Sequence, residues 1–357
     1  MRFHVVGLPY SQTTAAHCVC AFTQNIIKFC EMMTARGHEI VLYSGVENEA
    51  HCSEHVEVFS SAQQVSWFGS HDRQSPYPVS WEHSRPYWCE SNQLLIKAIR
   101  PRLSKDDILC LITGRAQQAV ALAFPSTPAV EYAIGYEGPV ARYRCFASRA
   151  LRQYVCGWHR EPNGRATDTV IPHYFNPAEF SLGVRKENYC LFVGRMVWRK
   201  GIAIAAAACR AAGMKLVVAG PGARKISGGI EFEGSQLRGD FEYVGAVDKT
   251  TRGSLMSRAR ALFVPTQYFE PFGMVAVEAM LSGTPVITSD WGALPEIVPH
   301  GVVGFNCNTP AEYAGAIAQV GNLSPAQVRE YAMRFSYDAV APQYEAWFTR
   351  LAELRSG

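Results

Sequence analysis

Apolar residues fall into two recurring arrangements along this chain: short unbroken runs, and stretches in which they return every three or four positions. Runs at 3–8, 40–43, 56–59, 108–112, 129–132 and 169–171 read as strands of one sheet. Between the first two, Phe22, Ile26, Phe29, Cys30 and Met33 recur at helical spacing up to a stop at Arg36-Gly37-His38. A second series follows, with strands at 189–193, 216–219, 241–244, 261–264 and 286–288 and helices at 202–212 and 274–281. Strands alternating with helices predict two doubly wound parallel sheets. Pro172 and Pro177 bracket the linker, so residues 1–176 form one Rossmann-like domain and 177–335 another. A last helix, within 336–357, is expected to cross back onto the first domain. Two such domains would face each other across a central cleft at the carboxyl ends of their strands, where open α/β sheets bind ligands.

Composition narrows this only slightly. With 357 residues, 48% hydrophobic and 18% charged, the chain is globular and long enough for two cores. No apolar run is long enough to span a membrane, and the first residues read as a strand and not as a leader, so a cytoplasmic protein is expected. The 11 cysteines include no CxxC pair and mostly sit in apolar patterns, which favours buried free thiols over disulfides or a metal site. The net charge of +3 is small. Its distribution is less even: Arg142, Arg144, Arg149, Arg152, Arg160 and Arg165 share their stretch with a single acid, Glu161.

The densest chemical signal is Phe269-Glu270-Pro271-Phe272-Gly273-Met274-Val275-Ala276-Val277-Glu278, where a strand runs through a loop into a helix. The amides of Gly273, Met274 and Val275 would stand at the positive end of that helix, a site for anions or hydroxyls. Glu270 and Glu278 would border it. Taken alone, the segment could be an ordinary helix start. The cations change the balance: Gly194-Arg195-Met196-Val197-Trp198-Arg199-Lys200-Gly201 leaves the first strand of the second domain. A guanidinium and a mobile ammonium suit a diphosphate whose charge grows as it departs.

Together with Gly220-Pro221-Gly222, Gly283-Thr284-Pro285-Val286-Ile287 and Gly292-Ala293-Leu294-Pro295-Glu296, these segments resemble the family-4 retaining glycosyltransferases of GT-B fold. The resemblance covers most of the second domain and, in the first, chiefly 37–41 and 171–176. It implies a nucleotide-diphosphate sugar as co-substrate, no other cofactor and retention of anomeric configuration. Arg195 and Lys200 would clamp the diphosphate as it leaves. Glu270 would lie at the sugar as a catalytic carboxylate, Glu278 would take the ribose hydroxyls, and Gly194 with Gly273, Met274 and Val275 would line the donor. No D-x-D triplet is present, so no metal is expected. The chain departs from the family in two places. Leu8-Pro9-Tyr10-Ser11-Gln12 lacks the usual Gly-Gly pair, and no histidine follows the fourth strand, where Arg115 and Gln117 stand instead.

The acceptor is less defined. Tyr10, Ser11 and Arg115 in the first domain are candidates, as are Arg149 and Arg152, spaced to share a helix face. The aromatic stretch from Trp67 through Phe68, Tyr77, Trp81 and Tyr87 to Trp88 could stack on sugars or bases, or close a loop onto the domain. Three readings stay open: a transferase acting on a glycan, lipid-linked sugar or small hydroxylated molecule; one acting on hydroxymethylated bases in DNA, since the opening segment resembles bacteriophage glycosyltransferases; and a sugar-nucleotide epimerase or non-catalytic binding protein. Two carboxylates with two cations are more than binding alone requires.

Overall fold

The structure is a computed structural model that describes residues 1–17, 20–70 and 79–356. Cys18, Val19 and Tyr77 lie outside the described residues. The chain separates into two units. Unit 1 comprises Met1–Ala147, Arg152–Pro172 and Val340–Gly357, and unit 2 comprises Ser148–Leu151 and His173–Ala339.

Unit 1 is built on a seven-stranded sheet. Its strands are β1 (Arg2–Val6), β2 (Glu39–Gly45), β3 (Glu54–Phe59), β4 (Ile108–Leu111), β5 (Ala129–Ile134), β6 (Tyr143–Phe146) and β7 (Thr169–Val170). They pair in the order β3-β2-β1-β4-β5-β6-β7, all parallel, so the strand order reverses between β1 and β4. Phe3, His4, Val5 and Val6 are all buried, as befits a parallel strand covered on both faces, which is why these strands read as unbroken runs. The helix Ala21–Ala35 ends as its sequence predicts: Gly37, at φ 78°, lets His38 N reach Met33 O at 3.1 Å and Gly37 N reach Thr34 O at 2.9 Å. From Val340 onward the helix Tyr337–Ser356 packs on this unit. Phe348 lies 4.7 Å from Phe3, and Glu345 receives Arg36 at 2.9 Å and His38 at 3.0 Å.

Strand β6 falls inside the arginine stretch, so one of its cations is built into the sheet. Arg144 is fully buried in it, with Nε 2.7 Å from Asp168 Oδ1 and Nη2 2.9 Å from Glu161 Oε2. Arg165 also pairs with Glu161, at 2.8 Å. The aromatic stretch runs into the helix Pro86–Ile99, and its described rings pack both on one another and on Tyr10, Phe22 and Phe59. Trp88 is buried and stacks on Trp81 with centroids 5.9 Å apart.

Unit 2 holds a six-stranded parallel sheet, β13-β9-β8-β14-β15-β16. Its strands are β8 (Tyr189–Val193), β9 (Lys215–Ala219), β13 (Glu242–Gly245), β14 (Ala261–Val264), β15 (Val286–Ser289) and β16 (Gly304–Cys307). Between β9 and β13 the chain folds a small antiparallel sheet of β10 (Arg224–Ile226), β11 (Gly229–Phe232) and β12 (Ser235–Arg238), which the sequence pattern does not predict. Ile202, Ala205 and Cys209 of the helix Ile202–Ala211 pack with Phe192, Val218, Phe263 and Ile287 in one core. Among the described residues no helix is long and apolar enough to cross a membrane.

Candidate functional site

The loops at the carboxyl ends of β8, β9, β14 and β15 meet within unit 2. After β8, Gly194 N bonds Ala219 O at 3.0 Å and Met196 N bonds Pro221 O at 2.8 Å, fixing the Arg195 loop to the Gly220-Pro221-Gly222 turn. A Cβ on Gly220 would stand 1.9 Å from Gly194 O, so only glycine permits that approach. The loop closes in the single turn Trp198–Lys200. Gln267 N, beyond β14, bonds Arg199 O at 2.8 Å. Two loops far apart in sequence are thereby joined, and Lys200 is carried to Glu270.

Lys200 Nζ lies 3.0 Å from Glu270 Oε2, in a pair whose side chains are 25% and 11% exposed. Tyr268 completes the group: Lys200 Nζ donates to the Tyr268 hydroxyl, which in turn donates to Glu270 Oε2. Burial, then the charge and hydrogen bond of Glu270, push the Tyr268 hydroxyl well above the usual phenol range, while Arg199 and Arg195 pull it the other way. Arg195 itself is exposed. The Glu270 backbone is held by the loop after β15: Ala293 N bonds Glu270 O at 2.9 Å, and a Cβ on Gly292 would stand 2.7 Å from Glu270 N. Glu270 is thus gripped at both its main chain and its carboxylate.

Gly273, at φ 87°, opens the helix Met274–Leu281. Ala276 N makes the first intrahelical bond, to Gly273 O at 2.9 Å, so the amides of Gly273, Met274 and Val275 precede the helical ladder. Glu278 is 8% exposed and one turn into the helix, with its carboxylate 3.7 Å from Arg252 Nη1. The donor-side residues expected from the sequence therefore share unit 2, and Lys200 and Glu270 touch. Sequence reasoning missed Tyr268, Arg252 and the grip of Gly292 and Ala293. The aromatic two positions before Glu270 was the available signal for Tyr268.

The acceptor candidates fare differently. Tyr10 is buried, edge-on to Trp81 at 6.0 Å and to Trp88 at 6.3 Å, and Ser11 is buried with Oγ 2.7 Å from Thr23 Oγ1. Both side chains are occupied within unit 1. Gln117, fully buried, accepts from Ile112 N at 3.0 Å and donates to Gly7 O at 3.0 Å, so it braces the ends of β1 and β4. Arg115 is exposed. Arg149 and Arg152 lie in the helix Arg149–Trp158, Arg149 exposed and Arg152 half-buried. The Arg149 and Ala150 amides bond the Glu296 carboxylate at 3.0 and 3.2 Å.

The fold is GT-B. It is shared with AviGT4, a glycosyltransferase involved in avilamycin A biosynthesis, at a TM-score of 0.68 and 21% identity over 99% of this chain and 98% of that one. The Anabaena protein Alr3699/HepE in complex with UDP-glucose superposes with a TM-score of 0.64 and 17% identity, over 98% of this chain and all of that one. Residues 177–339 match the glycosyl transferases group 1 family, a span that contains Arg195, Lys200, Glu270 and Glu278. A glycogen synthase of Mycobacterium tuberculosis is 33% identical over 169 residues, 45% of this chain but only 40% of that enzyme. The chain thus spans less than half the length of that relative.

Proposed function

We propose that the protein is a retaining glycosyltransferase that moves a sugar from a nucleoside diphosphate sugar to a hydroxyl acceptor without a metal ion. The observation that carries this reading is the Lys200–Glu270 pair, 3.0 Å apart, with Arg195 on the Lys200 loop. Glycosyl transfer breaks the bond from the anomeric carbon to the diphosphate. Negative charge then grows on the leaving group and positive charge on the sugar. Arg195 and Lys200 answer the first change, and the Glu270 carboxylate answers the second. The amides of Gly273, Met274 and Val275 supply fixed donors for phosphate or sugar oxygens. Glu278 takes the ribose hydroxyls, as an acidic residue does in dinucleotide sites. That Alr3699/HepE was solved with UDP-glucose makes UDP-glucose the first donor to try.

On the acceptor side we assign Arg115, Arg149 and Arg152 as candidates, a hydroxylated small molecule or glycan as the class, and the cytoplasm as the place. The ten described cysteines, all free, accord with a reducing compartment. With Arg144 and Arg165 held by Glu161 and Asp168, the arginine stretch supports a DNA acceptor less than its composition suggests. The test is a panel of nucleoside diphosphate sugars incubated without acceptor. Slow release of free sugar from one donor is expected, and no release from any would refute the assignment.

A further inference from the structure

Lys200 and Glu270 do not meet alone. The Tyr268 hydroxyl accepts from Lys200 and donates to the same Glu270 oxygen that Lys200 reaches. Its ring also carries two cations: Lys200 Nζ lies 4.9 Å and Arg199 Cζ 5.2 Å from the ring centroid. Among the described residues, Lys200 and Tyr268 are the donors bonded to the Glu270 carboxylate, whose side chain is 11% exposed. A diphosphate offers Lys200 more charge and more acceptor oxygens than one carboxylate does. Once Lys200 turns to it, Glu270 would be left buried without a partner unless another donor stays in place.

We propose that Tyr268 is a positioning residue for sugar transfer: it keeps the Glu270 carboxylate in place after the donor diphosphate has drawn Lys200 away, and its ring seats Lys200 and Arg199. This inference rests on the donor-site reading above. Because burial and Glu270 hold the hydroxyl protonated, it remains a hydrogen-bond donor throughout the neutral range. Hydroxyl and ring therefore have separable duties: the hydroxyl acts on turnover, and the ring acts on the cations that receive the diphosphate.

Full-length protein and its Tyr268→Phe, Tyr268→His and Tyr268→Ala variants test this, with UDP-glucose hydrolysis and UDP calorimetry as readouts, or the corresponding pair for whichever donor the panel selects. Tyr268→Phe removes one hydrogen bond to a charged group, so kcat should fall roughly 10- to 100-fold. Its nucleoside diphosphate Kd should stay within about twofold of wild type, because the ring and both cations remain. Tyr268→His restores an N–H donor and should recover part of kcat. Tyr268→Ala should weaken nucleoside diphosphate binding as well. Unchanged kcat in folded Tyr268→Phe, or a kcat loss that tracks only a lowered Tm and is not recovered by Tyr268→His, would overturn the proposal while leaving the donor site standing. A wild-type protein that hydrolyses no donor would remove the function itself, and this role with it.

Discussion

Replacing Lys200 by alanine removes the cation that stands 3.0 Å from Glu270 and, by the mechanism above, faces the departing diphosphate. As the sugar leaves, that diphosphate gains about one unit of negative charge. A cation about 4 Å away is worth about 4 kcal/mol against a full unit charge at an effective dielectric of about 20. Two corrections reduce this figure. The Lys200 side chain is 25% exposed, so solvent screens it, and the transition state carries only part of the final charge. About 2–3 kcal/mol then remains. Since about 1.4 kcal/mol is tenfold in rate, kcat for donor hydrolysis should fall about 10²-fold. KM should move much less, because the charge that develops on bond breaking is absent from the ground state. Lys200→Gln, which keeps a donor but not the charge, should behave like Lys200→Ala, and Arg195→Ala should show the same pattern. Steady-state hydrolysis of the preferred donor is the assay. A Lys200→Ala enzyme with kcat within about threefold of wild type would refute the electrostatic account.

Other outcomes follow from the same structure. Glu278→Ala should raise donor KM and nucleoside diphosphate Kd with little change in kcat, since ribose contacts are made in ground and transition states alike; a selective loss of kcat would contradict that. Arg144→Ala strands Asp168, 1% exposed, without its buried guanidinium, and should cost about 3–5 kcal/mol in denaturant unfolding; a loss below about 1 kcal/mol would show the pair to be dispensable. Burial lowers the Lys186 ammonium to about 8, while its Nζ donates to Ser257 O and Thr284 Oγ1. The unfolded chain therefore binds the extra proton between about pH 8 and the ordinary lysine range near 10.4, and stability should rise with pH across that window. Lys186→Met should flatten the rise, and an equal slope in the variant would contradict the assignment.

What could be read without the structure depended on how local each signal was. Gly194 to Gly201 and Glu270 to Glu278 each lie within one strand–loop–helix passage, so their spacing alone puts cations and carboxylates at the ends of strands. The bond from Tyr268 to Lys200 spans 68 residues and depends on Gln267 clasping Arg199, which no local pattern shows. The composition of the arginine stretch does not show that Arg144 is buried and paired. Here the partner Asp168 lies 24 residues on, beside the neighbouring strand β7. In the small sheet from Arg224 to Arg238 the apolar alternation is confined to Ile230 and Phe232, too short to mark a strand by itself, and the other advance marks were the Ser227-Gly228 and Glu233-Gly234 turns, where Glu233, Gly228 and Gly234 take positive φ. The helix Pro86–Ile99 was legible in principle, with Pro86 in its first turn and Trp88, Leu95 and Ile99 buried. The surrounding aromatics made the stretch read as irregular.

The most direct test of the central claim is a proton NMR time course of an α-linked nucleoside diphosphate sugar incubated with the protein in chelator and without acceptor. If Arg195 and Lys200 activate the leaving diphosphate and Glu270 supports the sugar, the first free sugar to appear should be the α anomer, before mutarotation, at a rate that Lys200→Ala lowers about 10²-fold. Release of the β anomer first, or release only after a divalent ion is added, would contradict the account.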